Sequence, residues 1–350
     1  MAAPTAGSSG AGSQRLAAVS RHLARGGAAA AAGSAATLPP GRFFLQGMAG
    51  YFNDEGLRAF QSLPSLRDSD VVMTSFPKCG TSWLHQILFC LLRMDAAGEF
   101  VAPLEELVGA RGQVYPDAVP VSLSGANDEA LHPGSQMRGG SIEALLAQPD
   151  PRLFTTHIRA SQLPLALREN GRLVMVARNP KDALVSAWFF QQKLNAAGLP
   201  RADTGIERGM EGTFEDYLES IPEPEIPHGA YGDYWKYYRD MLELVEELGP
   251  ERATWTFYET LQTDFEAEVG RLAGFLGVPL PPAKLEKLAE FVAFDNAKER
   301  GSMTTRKGVT RDYLNHLTPE HWARVDEVFA ERMGGLEAFA PLRPYMARAG

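Results

Sequence analysis

The chain has 350 residues, 45% of them hydrophobic and 22% charged, with a formal net charge of −9. That describes a globular protein with ample core, long enough for one large α/β domain or two small ones. The acidic balance argues against a nucleic-acid or membrane-surface binder, which needs a basic face, and no apolar run is long enough to span a bilayer.

Residues 1–41 are a different material from the rest. They are mostly Ala, Gly and Ser with Arg15, Arg21 and Arg25, and the first acidic residue is Asp54. Leu16, Val19 and Leu23 would share one face of a short basic helix. Arg- and Ser-rich composition without acids is that of an organellar transit peptide; the alternative is an Ala-biased disordered tail that carries no address. A secretory leader is excluded because the apolar residues here are nearly all Ala. Cys79 and Cys90, the two cysteines, lie eleven residues apart along one loop–helix unit, too far to bridge. This cysteine usage implies a reducing compartment: cytoplasm, or plastid or mitochondrion if residues 1–41 act as a transit peptide. The folded body is expected over residues 43–345.

After a short helix at 57–60, the stretch 70–90 reads as strand, tight loop and helix. Val71, Val72, Met73 and Thr74 form a buried, β-branched run, and Leu84, Ile87, Leu88 and Leu91 fall at helical spacing. Between them lie Pro77, Lys78, Cys79, Gly80, Thr81 and Ser82. A loop at a helix N-terminus presents backbone N–H groups and partial positive charge. Gly80 lets the backbone approach a ligand, Lys78 adds a full charge, and Thr81 and Ser82 add hydroxyls. The loop therefore reads as an anion site, most naturally for phosphate; the plainer reading is that Thr81 or Ser82 caps the helix. Lys precedes Gly here, so this is not a Walker A loop, and an ordinary ATPase or kinase is disfavoured. A thiol at a helix N-terminus beside Lys78 is expected to have a lowered pKa, which would make Cys79 reactive.

Residues 109–150 are rich in Gly, Pro, Ser and Asp and read as a long irregular insertion, of the kind that makes lids or binding loops. A second strand, 152–157, ends in His157; a histidine at a strand end is either structural or catalytic. Residues 172–177 form a third, clearly buried strand. It runs into Arg178, Asn179, Pro180, Lys181 and Asp182, and then a helix over 183–190. Arg178 would leave the strand end and Ser186 would sit in the first helical turns, on the same edge of a parallel sheet as the Lys78 loop. Open α/β sheets bind ligands along that edge. The alternative for Arg178 is a salt bridge to Asp182. Two cationic strand–helix turns on one edge predict a doubly phosphorylated ligand. Further on come an irregular stretch (191–229), an aromatic-rich helix (231–248), a strand over 254–258 closed by Glu259, and amphipathic helices at 265–276 and 283–291. A polar loop at 301–312 carries Arg306, Lys307 and Gly308, and a surface helix spans 321–333.

Four segments in this order resemble the cytosolic sulfotransferase family: Phe76-Pro-Lys-Cys-Gly-Thr-Ser-Trp83, Val176-Ala-Arg-Asn-Pro-Lys-Asp-Ala-Leu-Val-Ser186, Phe257-Tyr-Glu259 and Arg306-Lys-Gly308, with His157 between the first two. The resemblance covers about residues 43–345. It implies a single α/β domain, a central parallel sheet flanked by helices with a P-loop-like phosphosulfate-binding loop. It also implies transfer of the sulfuryl group of 3′-phosphoadenosine 5′-phosphosulfate (PAPS) to a hydroxyl or amine of a small-molecule acceptor, with no metal. By the same resemblance, Lys78, Cys79, Gly80, Thr81, Ser82 and Trp83 form the 5′-phosphosulfate loop, with Lys78 near the bridging oxygen and Trp83 against the adenine. Arg178, Ser186, Arg306, Lys307 and Gly308 hold the 3′-phosphate, Tyr258 lies beside the adenine, Phe190 lines the acceptor pocket, and His157 is the general base. Such chemistry is largely positioning and charge neutralisation, as in phosphoryl transfer.

The chain departs from the family pattern in places. Thr155 stands where the family usually has Lys, two residues before the base. Arg311 replaces the second Gly of Gly-x-x-Gly-Asp-Trp, and Tyr313 replaces its Trp. Cys79 stands where relatives often have Ser. Of the family's dimer motif only Thr318 survives within 314–323, so the usual small dimer is not expected. Thr155 and Arg311 are what would support a second hypothesis, a non-catalytic nucleotide-binding relative with a regulatory role.

Overall fold

The computed structural model describes residues 59–103, 107, 113–115, 137–139, 146–196, 234–293, 296 and 307–346. Its centre is a four-stranded parallel sheet built from β1 (Val71–Ser75), β4 (Leu153–Thr156), β5 (Arg172–Ala177) and β6 (Ala253–Phe257), in the order β4-β1-β5-β6. Val71 pairs with Leu153 on one side and Arg172 on the other, and Leu173 pairs with Ala253. Two further strands, β2 (Gln113–Tyr115) and β3 (Met137–Gly139), pair with each other in parallel inside the region expected to be an irregular insertion.

The strands are buried on both faces, as continuous apolar runs in parallel sheets are. Alternate side chains enter two separate cores. Val72, Leu173, Met175, Ala177 and Phe257 face one core, which is shared with α2 (Pro180–Ala196), α3 (Tyr234–Leu248) and α7 (Pro319–Met333). Val71, Met73, Val174 and Val176 face the other, shared with α1 (Thr81–Arg93), α4 (Tyr258–Thr263), α5 (Phe265–Leu276) and α6 (Pro282–Val292). The result is a three-layer α/β/α domain, as the sequence predicts. A last helical turn, α8 (Arg343–Met346), packs at the end of the described chain. No helix among the described residues is long and apolar enough to cross a membrane.

The amino end of the sheet is pinned by a buried ion pair. Arg152 donates from Nε to Asp70 Oδ1 at 2.9 Å and from Nη2 to Asp70 Oδ2. Removing either partner would leave an uncompensated buried charge, a loss of about 3–5 kcal/mol. At the carboxyl end the tyrosines of α3 do the holding. The Tyr237 hydroxyl lies 2.6 Å from Thr74 Oγ1, Tyr238 donates to the Val176 carbonyl at 2.8 Å, and Tyr234 donates to the Arg178 carbonyl at 2.5 Å. The aromatic residues of this helix thus fix the ends of β1 and β5. One boundary differs from the expectation. Strand β6 ends at Phe257, and Tyr258 and Glu259 open α4, because the backbone turns helical directly after the strand without a Gly or Pro to mark it.

Candidate active site at the carboxyl edge of the sheet

After β1 the chain next enters this sheet at β4, on one side, and after β5 it next enters at β6, on the other. Adjacent strands whose crossovers diverge open a crevice at their carboxyl ends. Lys78 and Arg178 stand on its two rims, and Arg178 Nη1 donates to the Lys78 carbonyl at 3.1 Å. The late loop joins them, since Arg178 Nη2 donates to the Val309 carbonyl at 3.3 Å, next to Lys307 and Gly308. Arg178 also lies over the Tyr258 ring, 4.3 Å from its centroid. Its Nε is buried without a hydrogen-bond partner.

The loop after β1 has an unusual backbone. Lys78 adopts φ 66° and Gly80 φ 102°. A Cβ on Gly80 would approach Tyr258 Cδ2 to 2.8 Å, so this position needs glycine both for its conformation and for space. Gly80 is itself the N-cap of α1, and no side chain caps the helix. The plainer reading of Thr81 or Ser82 as a cap therefore fails. Thr81 Oγ1 instead meets Ser75 Oγ at 2.6 Å, tying the helix start back to β1. Trp83 packs edge-on against Tyr258, centroids 5.2 Å apart, and stacks with Phe265 at 6.0 Å. Together these rings form an aromatic wall beside the loop.

Cys79 is placed differently from expectation. Its side chain is fully buried and its N–H donates to the Phe76 carbonyl at 3.3 Å. Burial pushes the thiol up to about 12, although a hydrogen bond with Tyr238 and the charge of Arg178 pull the other way. The reactive thiolate expected from its position is overturned: desolvation outweighs the helix terminus and the neighbouring cation. Cys79 packs beneath the loop.

His157 meets the crevice from the β4 side. Its Nδ1 lies 2.8 Å from the Ser75 carbonyl, so Nδ1 carries the proton and Nε2 the lone pair. Burial lowers its pKa to about 4 and the charge of Lys78 adds to that, while the Ser75 carbonyl opposes it. Lys78 Nζ rests over the Phe190 ring, 3.9 Å from the centroid, which puts the expected acceptor-pocket wall against the expected phosphosulfate lysine. Ser186 is buried in α2. Lys307 Nζ pairs with Asp312 Oδ1 at 2.9 Å. Arg306 lies outside the described residues.

Three supporting residues were not singled out from the sequence as parts of the site. Glu259 is fully buried, and its Oε1 accepts the Asn179 N–H at 2.9 Å. Burial raises its pKa to about 7 against the pull of Arg178. Asn179 in turn accepts the Lys181 N–H through Oδ1 at 3.0 Å, the bond of an N-cap ahead of Pro180. Asp182 does not pair with Arg178; it accepts the backbone N–H groups of Arg311 at 2.7 Å and Tyr313 at 3.0 Å. All three lie inside the quoted segments, but no pattern of residue types announces which backbone group a buried carboxylate will serve. Thr155 is buried under α1, with its Oγ1 2.8 Å from His85 Nδ1.

The family profile described as "Sulfotransferase domain" matches residues 68–337. Mouse sulfotransferase 1B1 is 27% identical over 300 residues, covering 81% of this chain and 87% of the relative. The 3-alpha-hydroxysteroid sulfotransferase of Cavia porcellus is 25% identical over 300 residues, covering 81% and 90% respectively. Among solved structures, that of mouse sulfotransferase SULT7A1 complexed with PAP superposes with a TM-score of 0.61 at 21% identity, over 84% of this chain and 93% of that one.

Proposed function

This chain belongs to the sulfotransferase family, and on that basis we propose that it transfers the sulfuryl group of PAPS to a hydroxyl or amine of a small acceptor, with His157 as general base. The observation that carries the reading is the meeting of three elements at one point. Arg178 bonds the Lys78 carbonyl, and His157 bonds the carbonyl of Ser75, three residues before Lys78.

The residues present suit the donor. Gly80 lets the loop pack directly against the Tyr258 ring at the start of α1, and the buried Arg178 Nε is without a partner. The segment from Lys78 to Trp83 and the start of α1 would receive the phosphosulfate; Arg178, Ser186, Arg306, Lys307 and Gly308 the 3′-phosphate; and Trp83 and Tyr258 the adenine. When bound, PAPS supplies the sulfuryl group and a bisphosphate leaving group. His157 contributes a neutral Nε2 that accepts the acceptor proton at pH 7, because burial disfavours its charged form. Lys78 supplies positive charge on the side where negative charge develops. The aromatic face of Phe190 and the hydroxysteroid activity named for a relative favour an apolar, hydroxylated acceptor. The test is incubation with PAPS and a panel of phenols, alcohols and amines, reading adenosine 3′,5′-bisphosphate (PAP) and sulfonated product by mass. Binding of PAPS without transfer to any panel member would favour the non-catalytic reading.

Two further proposals go with this one. If residues 1–41 are a transit peptide rather than a disordered tail, they are removed from the mature protein, which a native N-terminus at Ala2 would contradict. The chain does not form the family's small dimer: in place of the motif, Thr318 Oγ1 accepts the His321 N–H at 3.3 Å to start α7. Sedimentation of a dimer broken by changes at 314–323 would contradict it.

A further inference from the structure

The carbonyls of residues 344–346 receive four hydrogen bonds, all from two short segments. Asn179 Nδ2 donates to Tyr345 O at 2.9 Å, and Lys181 Nζ to Met346 O at 2.6 Å. Arg311 Nη2 donates to Pro344 O at 2.6 Å, and the Tyr313 hydroxyl to Tyr345 O at 3.2 Å. Asn179 and Lys181 lie one and three residues after Arg178; Arg311 and Tyr313 lie two and four residues after Val309, which ends the Lys307–Gly308–Val309 run. From the opposite side, Asp182 binds the N–H groups of Arg311 and Tyr313. Lys181 is fully buried, donates also to Asp326 Oδ1 of α7 at 2.6 Å, and sits 4.5 Å from the Tyr313 ring centroid.

The last carbonyls of a helix have no partner within it, and cations beside that end are favoured. A four-residue turn such as α8 cannot hold itself, so its docking rests on these donors and on the burial of Leu342 and Met346. Arg311 has φ 60°, a left-handed conformation that costs a residue with a Cβ about 1–2 kcal/mol. Its backbone N–H is held by Asp182, while its guanidinium reaches Pro344 O and lies 5.6 Å from the Tyr345 ring centroid. Glycine would adopt this backbone more readily but could not reach the tail.

We propose that the carboxy-terminal turn is a positioning strap for the donor-nucleotide site, tied through Asn179, Lys181, Arg311 and Tyr313, so that tail docking and nucleotide binding reinforce each other. The proposal rests on reading the Arg178 turn and the Lys307 loop as the 3′-phosphate site. Arg311 is its key residue. Coupling of this kind is reciprocal and commonly about fivefold or more: what the docked tail adds to nucleotide affinity, bound nucleotide adds to tail docking.

The experiment measures PAP affinity by titration calorimetry and the exchange of backbone hydrogens in the carboxy-terminal peptide, with and without PAP. The proteins are wild type, Arg311→Gly, Arg311→Lys and a chain ending at Arg343. In wild type, PAP slows exchange in that peptide. Arg311→Gly weakens PAP binding by about fivefold or more and abolishes the slowing, with little change in melting temperature because relieved backbone strain offsets the lost bond. Arg311→Lys, which keeps a donor, recovers part of the affinity. The shortened chain repeats the loss; if it does not fold, the two Arg311 variants decide. Wild type that binds PAP, with Arg311→Gly equal to it in affinity and in tail exchange, would overturn the strap alone. Wild type that does not bind PAP would overturn the nucleotide reading, and the strap with it.

Discussion

The protonation of His157 offers the most direct test of the proposed chemistry. An unperturbed imidazole titrates near 6.5 and would be almost wholly charged, and useless as a base, at pH 5. In this protein burial brings His157 to about 4. At pH 7 it is then neutral in all but about one molecule in a thousand, and at pH 5 in about nine molecules in ten. Turnover at low, subsaturating donor, which reports the free protein, should therefore hold as pH falls from 7 to 5 and drop only near 4 to 5. Bound donor adds negative charge beside the ring, which favours the imidazolium and moves the titration upward. The assay is titration of isotope-labelled histidine by NMR, without nucleotide and with PAP, with His157→Ala to assign the signal. The same variant should lose at least about 100-fold in turnover, the low end for general-base catalysis, while PAP affinity changes little. An imidazole titrating near 6.5 without nucleotide would refute the burial argument, and near-normal turnover of His157→Ala would refute the role of base.

Other outcomes follow from the same buried groups. Cys79, fully buried with its thiol at about 12, should resist iodoacetamide in the native protein and label only on unfolding; rapid native labelling by mass spectrometry would contradict its placement. Glu259→Ala leaves the Asn179 N–H without its acceptor and should cost about 1–3 kcal/mol in urea unfolding, whereas Glu259→Gln, which keeps an acceptor oxygen, should cost less; equal losses would mean the bond to Asn179 contributes nothing. Burial lowers His85 to about 3, so between there and 6.5 the unfolded chain binds more protons and stability falls as pH falls through that window, by at most about 1.4 kcal/mol per pH unit. His85→Gln should flatten that slope between pH 6.5 and 4 while leaving the contribution of His157; unchanged urea midpoints across the range would exclude His85 as its source.

The sheet and most helices were legible in the sequence because each rests on a local pattern. The runs at Val71 and Arg172 are apolar and β-branched, as strands buried on both faces must be, and the helices at 265–276 and 283–291 carry an amphipathic period. The clustering of Lys78, Arg178 and His157 was legible as well, since a parallel sheet places all its strand exits on one edge. What escaped depends on single backbone rotations. Lys78 takes a left-handed φ that nothing in Pro77-Lys78-Cys79 announces, and the following thiol lies under the loop. Tyr258 turns from strand to helix without a breaker residue. The partners of Asp182 are backbone groups 129 and 131 positions away, a pairing that composition does not encode.

Those partners decide the electrostatics of the crevice. Had Asp182 paired with Arg178, as the spacing allowed, the guanidinium would meet an incoming phosphate already compensated. Instead Arg178 is held by two carbonyls, of Lys78 and Val309, and by the Tyr258 ring, all uncharged. The neighbouring carboxylates spend their oxygens on backbone N–H groups of Asn179, Arg311 and Tyr313. Burial raises the pKa of both, Glu259 to about 7, which moves it toward the neutral form. The acids thus shape the loops and act on Arg178 through their charge without forming an ion pair with it. Because interactions between charges strengthen in a poorly solvated crevice, a guanidinium held there without an ion-pair partner holds an anion more firmly than the same group on the surface. An acidic chain with a net charge of −9 can in this way present a positive site for a doubly phosphorylated ligand.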